Sequence, residues 1–261
     1  MTVVVACNLP DGVILGTDSA VTLDSSSARQ VLVHKEKLFA LKNKPIGVAA
    51  YGITGIGPRT IRSYINEFTV TDPNGVMTES CEISRVVESL RSFFQQIYKR
   101  NFGEKPGPFL GLAVAGFSPN AYHGEIWQIH LPEHSKPDSA VCVHGQGSFG
   151  TTWHGESIPI ARFLLGYDER AIEELKKYFE KVSGKSFIKA EHEAVSKILE
   201  RYEWSLPYSN MSIEDGLLYA RFLINITINY YRLAGQPPIV GGKIILGRAI
   251  YQDNDFHILR D

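Results

Sequence analysis

The sequence predicts an α/β protein of the α+β type, a four-layer αββα sandwich in which helices flank two antiparallel sheets. The first observation is the order of the predicted elements, which runs strands, two helices, strands, several helices and two closing strands. Strict alternation of strands and helices would have predicted a parallel sheet instead. The second observation is the absence of a repeat or linker sequence, so one domain is expected over residues 1–261.

The composition is that of an ordinary globular protein. Hydrophobic residues make up 44% and charged residues 21% of the 261 positions, which is enough apolar material for a sizeable core. A formal net charge of −1 gives no sign of the concentrated basic surface that nucleic acids require. Three distant cysteines without a CxxC pair disfavour disulfides and structural zinc. We expect a cytoplasmic protein with no metal, no cofactor, no nucleic-acid partner and no membrane segment.

The first quarter of the chain predicts two pairs of strands and a helix. Residues 2–8 and 13–17 are β-rich and flank a Pro-Asp-Gly turn, which indicates a hairpin. Residues 37–41 and 46–51 predict a second strand pair, and residues 56–68 show helical spacing.

The rest of the chain predicts further helices and strands. Apolar residues recur at steps of three and four over residues 83–98, which indicates an amphipathic helix. A capping-box-like start at Ser212 precedes the last predicted helix. Strands are expected at 109–117, 125–131, 139–143, 242–251 and 256–259, and helices at 158–165, 169–181, 192–202 and 213–232.

Thr2 is the main candidate for chemistry. Threonine is small enough for methionine aminopeptidase to remove Met1, which would leave Thr2 at the N-terminus. Its hydroxyl is then a nucleophile and its own α-amine, with a pKa of about 7.7–8.0, is a base. A Met-Thr start alone does not distinguish such a residue from an ordinary first strand residue.

The context of Thr2 resembles a known family. A threonine, a β-rich run, an Asp-Gly turn, a second apolar strand and Asp18 in a Thr-Asp-Ser context are similar to the opening of proteasome β-type subunits and their bacterial relatives. These are N-terminal nucleophile (Ntn) hydrolases. The resemblance implies the fold predicted above, with Thr2 as nucleophile and Asp18 as the family's buried aspartate.

Lys37 resembles the family's strand-opening lysine because apolar residues follow it. Lys35 is the alternative, but Glu36 follows it. A lysine beside the N-terminal amine lowers the pKa of that amine and stabilises negative charge on the threonine oxygen. Asp18 can orient the lysine by a charge-assisted hydrogen bond. The alternative role for this pair is simply to stabilise neighbouring strands.

Further site residues are implied by the resemblance. Residues 46–52 resemble the small-residue strand whose backbone supplies the oxyanion hole, and the implied donor is the N–H of Tyr51, where glycine is usual. A Gly-Gln-Gly-Ser stretch resembles the segment beside the family's catalytic centre, which implies Gln146 and Ser148. Other similar segments are 111–117, 124–129, 212–216 and 240–242.

The family's pocket-lining positions correspond to Val21, Ala49 and Ile53. Because these are small or medium apolar residues, we expect a medium-sized hydrophobic side chain at the cleavage position. One departure concerns the aspartate that usually follows the last long helix, which is absent here. Asn229, Tyr231 or Ser148 are the candidates to replace its hydrogen bonds.

The resemblance implies a threonine-type peptidase acting on peptides or proteins. It also implies a self-compartmentalising homo-oligomer, either a ring or a spiral, and indicates no particular ATPase partner. Two alternatives stay open: a catalytically silent relative that serves as an assembly scaffold, and an enzyme acting on small amides.

Rival motifs are weaker. Residues 145–150 match GxGxxG, but the acidic residues twenty positions on begin a predicted helix rather than end a strand. The same stretch nearly matches a nucleophile elbow, in an element order that does not fit that class. His130 and His134 flank a proline and do not stack on a helix. Cys7 has no adjacent base and is interpreted as a core residue.

Overall fold

The structure is a computed structural model. It describes residues 2–24, 29–32, 35–78, 80–103, 105, 107–132, 140–187, 189–234 and 239–259. The chain divides into two compact units, one formed by residues 1–156 and 208–261 and the other by residues 157–207. The expectation of one domain over 1–261 stays a prediction, and the residues discussed below as a site all belong to the first unit.

The first unit contains two five-stranded antiparallel sheets, as predicted. Strands are numbered in chain order. The first sheet consists of β1 (Val3–Leu9), β2 (Gly12–Asp18), β12 (Gly150–Gly155), β13 (Ile244–Ile250) and β14 (His257–Leu259). The second sheet consists of β5 (Leu38–Ala40), β6 (Ile46–Gly52), β9 (Leu110–Gly116), β10 (Glu125–Leu131) and β11 (Val141–His144). Their orders are β12-β1-β2-β13-β14 and β11-β10-β9-β6-β5. Two short hairpins pair β3 (Val21–Asp24) with β4 (Arg29–Leu32) and β7 (Gly55–Ile56) with β8 (Arg59–Thr60).

Helices cover both outer faces of the sandwich. Helices α1 (Ile61–Thr71) and α2 (Ile83–Phe102) share an apolar core with the second sheet. Helix α6 (Ile213–Leu233) packs on β1 and β2, and its start has the predicted capping box between Ser212 and Asp215. The second unit contains α3 (Ile158–Leu165), α4 (Glu169–Ser183) and α5 (Lys189–Leu199). No helix in the described ranges is both long and apolar enough to cross a membrane.

The core between the sheets follows from strand alternation, since successive side chains point to opposite faces. Val4 and Leu15 from the first sheet meet Ala49 and Ala113 from the second. Small residues allow the sheets to approach each other. The ring of Phe256 fills the remaining space, because it packs against two glycines, one in β6 and one in β13.

The structure differs from the predicted elements at one helix start and at one strand that was not predicted. The helix predicted from residue 56 begins only at Ile61, because residues 55–60 form a hairpin and the hydroxyl of Thr60 caps the helix by accepting the N–H of Ser63 at 3.2 Å. Strand β12 was missed altogether. It pairs with β1 along its whole length and therefore forms an edge of the first sheet.

Candidate active site

The carboxylate of Asp18 is the centre of the candidate site. It lies at the end of β2, is fully buried and accepts four hydrogen bonds. Its Oδ1 accepts from Lys37 Nζ at 2.8 Å and from the N–H of Val3 at 3.1 Å. Its Oδ2 accepts from the N–H groups of Ala20 at 3.2 Å and Gly241 at 3.0 Å. The carboxylate thus connects Val3, Ala20, Lys37 and Gly241. Hydrogen bonds from these four donors stabilise its negative charge in place of water.

Lys37 lies immediately before β5 and is buried together with Asp18. Its carbonyl accepts the N–H of Ala50 at 2.8 Å, which fixes the backbone beside β6. Burial lowers the pKa of the Lys37 ammonium, and the charge of Asp18 opposes that shift. Lys35, the alternative, is exposed. The predicted pairing of Asp18 with Lys37 is therefore present in the structure.

Thr2 is buried at the start of β1, and its carbonyl accepts the N–H of Glu156 at 2.8 Å. It lines a cavity of about 340 Å³, here called the Thr2 cavity. The other lining residues are Val21, Lys35, Glu36, Lys37, Phe39, Ala50, Ile53, Thr54, Thr60, Ile61 and Arg62. The lining thus combines apolar side chains with polar and charged ones.

Two of the three residues predicted to form the substrate pocket lie around the same cavity as Thr2. Val21 and Ile53 line the Thr2 cavity, whereas Ala49 belongs to the core between the sheets. Its neighbour Ala50 lines the cavity instead. Ala50 lies one residue further along β6 than the predicted Ala49, and neighbouring side chains of a strand point to opposite faces.

The same shift of one residue along β6 changes the candidate for the oxyanion donor, which was predicted to be the N–H of Tyr51. The N–H of Ala50 points towards β5, where it donates to Lys37. Because hydrogen-bonding directions alternate along a strand, the N–H of Tyr51 points to its partner Gly111 in β9 and is used within the sheet. Alternation along the strand would direct the N–H of Gly52 to the side of β6 on which Ala50 donates to Lys37, so Gly52 replaces Tyr51 as the candidate donor.

The backbone conformation at position 52 requires a glycine. Its φ is +92°, and a Cβ atom there would lie 2.3 Å from the carbonyl oxygen of Phe109. Only glycine adopts this conformation without strain.

Gln146 and Ser148 do not lie beside Thr2. The backbone of Ser148 accepts the side-chain amide of Asn8 at 3.0 Å, and Asn8 is at the opposite end of β1. Asn8 is six positions along the strand from Thr2, a distance of about 20 Å. The amide of Gln146 donates to Glu125 at 3.1 Å. The prediction that these two residues belong to the catalytic centre is therefore wrong.

The segment that does reach Thr2 follows β12. Gly155 has φ +77°, and a Cβ atom there would lie 1.9 Å from the carbonyl oxygen of Thr2, so only glycine fits. The carboxylate of the next residue, Glu156, accepts the hydroxyl of Tyr231 at 2.6 Å. Of the three candidates to replace the missing aspartate, Tyr231 thus reaches the segment next to Thr2. The signal for this segment was the β-rich Thr-Thr-Trp run that precedes it.

A polar cluster lies beside the same segment. His154 stacks on the ring of Tyr51 at 5.0 Å, and the hydroxyl of Tyr51 lies 2.9 Å from His130 Nε2. Gln128 Nε2 lies 2.9 Å from that hydroxyl and 3.2 Å from His154 Nδ1. Burial, and secondly the neighbouring His130, lower the pKa of His154 to about 4. The imidazole of His154 is therefore neutral near pH 7.

Other reactive groups do not gather into a site. Burial raises the pKa of the Cys7 thiol to about 12, which agrees with its interpretation as a core residue. Across the described ranges, no three His, Cys, Asp or Glu side chains are grouped in a way that would hold a metal ion. His134 lies outside the described residues.

The fold is an α+β sandwich of two antiparallel sheets with helices on their outer faces, and a buried Asp–Lys pair lies beside its first strand. It is similar to the solved structure of the Anbu (Gly-1) mutant from Hyphomicrobium sp. strain MC1. Anbu is a bacterial proteasome-like protein of the Ntn-hydrolase type. The similarity covers 100% of this chain and 85% of that chain, with a TM-score of 0.53 and 12% identity. At this identity the likeness shows the fold alone. No family model and no curated protein match the sequence.

The buried ion pair gives a test of the site's assembly. Lys37→Met leaves the carboxylate of Asp18 without its cation, and removing one partner of a buried pair typically costs about 3–5 kcal/mol. We expect the free energy of unfolding, measured in urea, to fall by about that amount. Lys35→Met, an exposed residue two positions away, should change it by less than about 0.5 kcal/mol. Equal effects of the two substitutions would contradict the central role of Lys37.

The lowered pKa of His154 predicts a loss of stability in acid. Between the ordinary histidine pKa of 6.5 and about 4, the unfolded chain binds a proton that the folded chain does not. The free energy of unfolding therefore decreases as the pH falls through this range, by up to about 3 kcal/mol from this group. His154→Phe keeps a ring against Tyr51 and should flatten the dependence, whereas His257→Gln on exposed β14 should not. Urea unfolding at several pH values measures this, and an unchanged slope in His154→Phe would refute it.

Proposed function

We propose that this protein is a threonine-type Ntn hydrolase that cleaves peptide or amide bonds. The observation that carries the proposal is that Thr2 and Lys37 line the same cavity, while the ammonium of Lys37 is held by the buried carboxylate of Asp18. A stabilising ion pair alone would not need to face a cavity next to the first residue of the processed chain.

The chemistry requires removal of Met1, which frees the α-amine of Thr2. The threonine oxygen attacks the carbonyl carbon of the substrate, and its proton passes to the α-amine. The tetrahedral intermediate then expels the amine product, which takes that proton, and an ester on Thr2 remains. Water hydrolyses the ester with the α-amine as base. Lys37 supports the first step because its positive charge favours the neutral amine and stabilises negative charge on the threonine oxygen.

Negative charge on the substrate oxygen needs a fixed donor. The N–H of Gly52 is that donor in this proposal, since Gly52 lies in sequence between Ala50 and Ile53, which both line the cavity. A backbone donor held by the sheet needs no reorganisation during the reaction. The Glu156–Tyr231 pair takes the place of the family's missing aspartate and positions the segment that holds the carbonyl of Thr2.

The cavity supports a hydrophobic residue at the cleavage position. Val21, Phe39, Ile53 and Ile61 supply most of its apolar wall. A volume of about 340 Å³ accommodates a side chain of medium size. We therefore propose peptides, or unfolded segments of proteins, as the substrate class.

A second candidate is a catalytically silent scaffold with the same fold. The replacement of the helix-end aspartate favours it, because the hydroxyl of Tyr231 is engaged with Glu156. An active site requires that Glu156 and Tyr231 leave the amine of Thr2 free. The experiment below separates the two candidates.

Labelling of Thr2 tests the proposal. Intact mass should show a chain without Met1 that gains one inhibitor mass with an epoxyketone or β-lactone. Peptide mapping should place the adduct on Thr2. Thr2→Ser should keep the adduct because serine has the same two groups, and Thr2→Ala should abolish it.

Each alternative result has a defined meaning. A chain that keeps Met1 has a blocked amine and excludes this mechanism in that preparation. Loss of Met1 without an adduct, together with no cleavage of hydrophobic fluorogenic peptides, contradicts the hydrolase and leaves the scaffold.

We also propose that the protein assembles into a homo-oligomer, as a ring or a spiral. Large apolar side chains are exposed in the unit of residues 157–207, which is unusual for a surface that faces only water. Among them are Tyr178 and Val182 on α4, Ile198 on α5, and Tyr202 and Trp204 beyond it.

Native mass measurement tests the assembly. The wild-type protein should exceed the monomer mass, and Tyr178→Glu combined with Val182→Glu should shift it towards the monomer, because charge in an apolar interface is costly. Lys181→Gln on the same helix is the matched control and should leave the mass unchanged. A monomeric wild-type protein would contradict the proposal.

A further inference from the structure

A second groove, of about 930 Å³, adjoins the Thr2 cavity. Glu36, Phe39 and Arg62 line both spaces, so a chain held in one can continue into the other. The groove follows the C-terminal half of α6 and the edge strands β5 and β14. It is called the basic groove below.

The basic groove is positively charged although the protein as a whole is not. Arg62, Arg221, Arg232 and Lys243 line it, and Glu36 is the one carboxylate among its lining residues, all of which are described. Glu36 is already paired with Arg62, at 2.7 Å. The formal charge of the lining is thus +3, against −1 for the entire chain.

Helical geometry explains why these charges share one surface. Arg221 and Arg232 are eleven residues apart on α6, which is about three turns, so they lie on the same face. Asn225 and Asn229 fall between them on that face and also line the groove. Side-chain amides both donate and accept hydrogen bonds, as the backbone of an extended peptide requires.

The remaining cation is fixed close to the candidate active site. The backbone N–H of Lys243 donates to the hydroxyl of Ser19 at 2.8 Å, and Ser19 directly follows Asp18. The side chain of Lys243 is exposed. A carboxylate bound by Lys243 would therefore lie only a few residues of extended chain from a peptide bond placed at Thr2.

We propose that the basic groove binds an acidic segment of the substrate, next to the hydrophobic residue that enters the Thr2 cavity. The placement of the cleaved bond rests on the proposed function, whereas the binding itself requires no chemistry. The preferred substrate class is then a peptide with Asp or Glu residues near an apolar cleavage residue.

Binding is measured with Thr2→Ala protein, so that no peptide is consumed. The probes are two fluorescent peptides with the same leucine-containing core, one extended by three Glu residues and the other by three Gln residues. A second pair carries the extensions on the other side of the core. We expect the Glu peptide of at least one pair to bind about threefold or more tighter by anisotropy at low salt. The preference should shrink as salt shortens the screening length.

Matched variants locate the effect. Arg232→Gln with Lys243→Gln should abolish the preference for Glu, while Lys181→Gln with Lys185→Gln removes the same charge from exposed positions in the other unit and should leave it intact. Equal affinity for both peptides, or equal loss in both variants, would overturn the proposal. Stronger binding of an oligothymidylate than of the Glu peptide would also overturn it, in favour of a nucleic-acid site.

The outcome is separable from that of the proposed function. Glu-dependent binding would keep the groove as a peptide site even if the wild-type protein lost Met1, gained no inhibitor adduct and cleaved no fluorogenic peptide, the result that refutes the hydrolase. An adduct without a Glu preference would refute the groove and keep the hydrolase.

Discussion

The rest of the structure depends on the hydrogen bonds and the ion pair that the buried carboxylate of Asp18 makes. An unpaired charge in a protein interior costs several kcal/mol, so every donor around it is required. Those donors come from the start of β1, from Lys37, from the residue two positions on, and from the segment that enters β13. The hydrogen bonds to this one carboxylate therefore connect segments of the first sheet and place Lys37 at the same cavity as Thr2. Assembly of the candidate site therefore depends on the same contacts that hold β1, β2 and the segment before β13 together.

The local parts of this arrangement could be predicted from the sequence. Thr2 and Asp18 sit on the two strands of one hairpin, and the turn residues between those strands fix their pairing. The register of β6 could not be predicted in the same way. Ala49 and Ala50 are identical residues, so nothing in their side chains indicates which one faces the cavity. The contact of Lys37 with Ala50 decides it, and the positions of Gly52 and Tyr51 then follow from strand alternation.

The pairing of segments that are distant in sequence could not be predicted, although the β-rich Thr-Thr-Trp run indicated a strand. Strand β12 lies about 145 positions from β1 in sequence, and its pairing decides which segment ends beside Thr2. Without that strand, a Gly-Gln-Gly-Ser stretch looked like the segment next to the catalytic centre, whereas Gly155 and Glu156 occupy that place. The bond between Glu156 and Tyr231 joins residues 75 positions apart. Such pairs depend on the final topology, and a single sequence contains no local pattern that reports them.

In the proposed function, the cations of the basic groove and the apolar Thr2 cavity select the substrate together. An apolar cavity discriminates poorly between similar side chains, because one methylene contributes only about 1–3 kcal/mol. Charges outside the cavity add a second criterion, and they do so without placing a cation in the apolar interior, where it would be costly. The cations here come from α1, α6 and the start of β13, so composition and local charge runs gave no sign of them. They meet only because α6 crosses the first sheet with one polar face beside the edge strands. Helix α6 thus has two roles. Its buried face packs on β1 and β2, and its polar face supplies two of the arginines that line the basic groove.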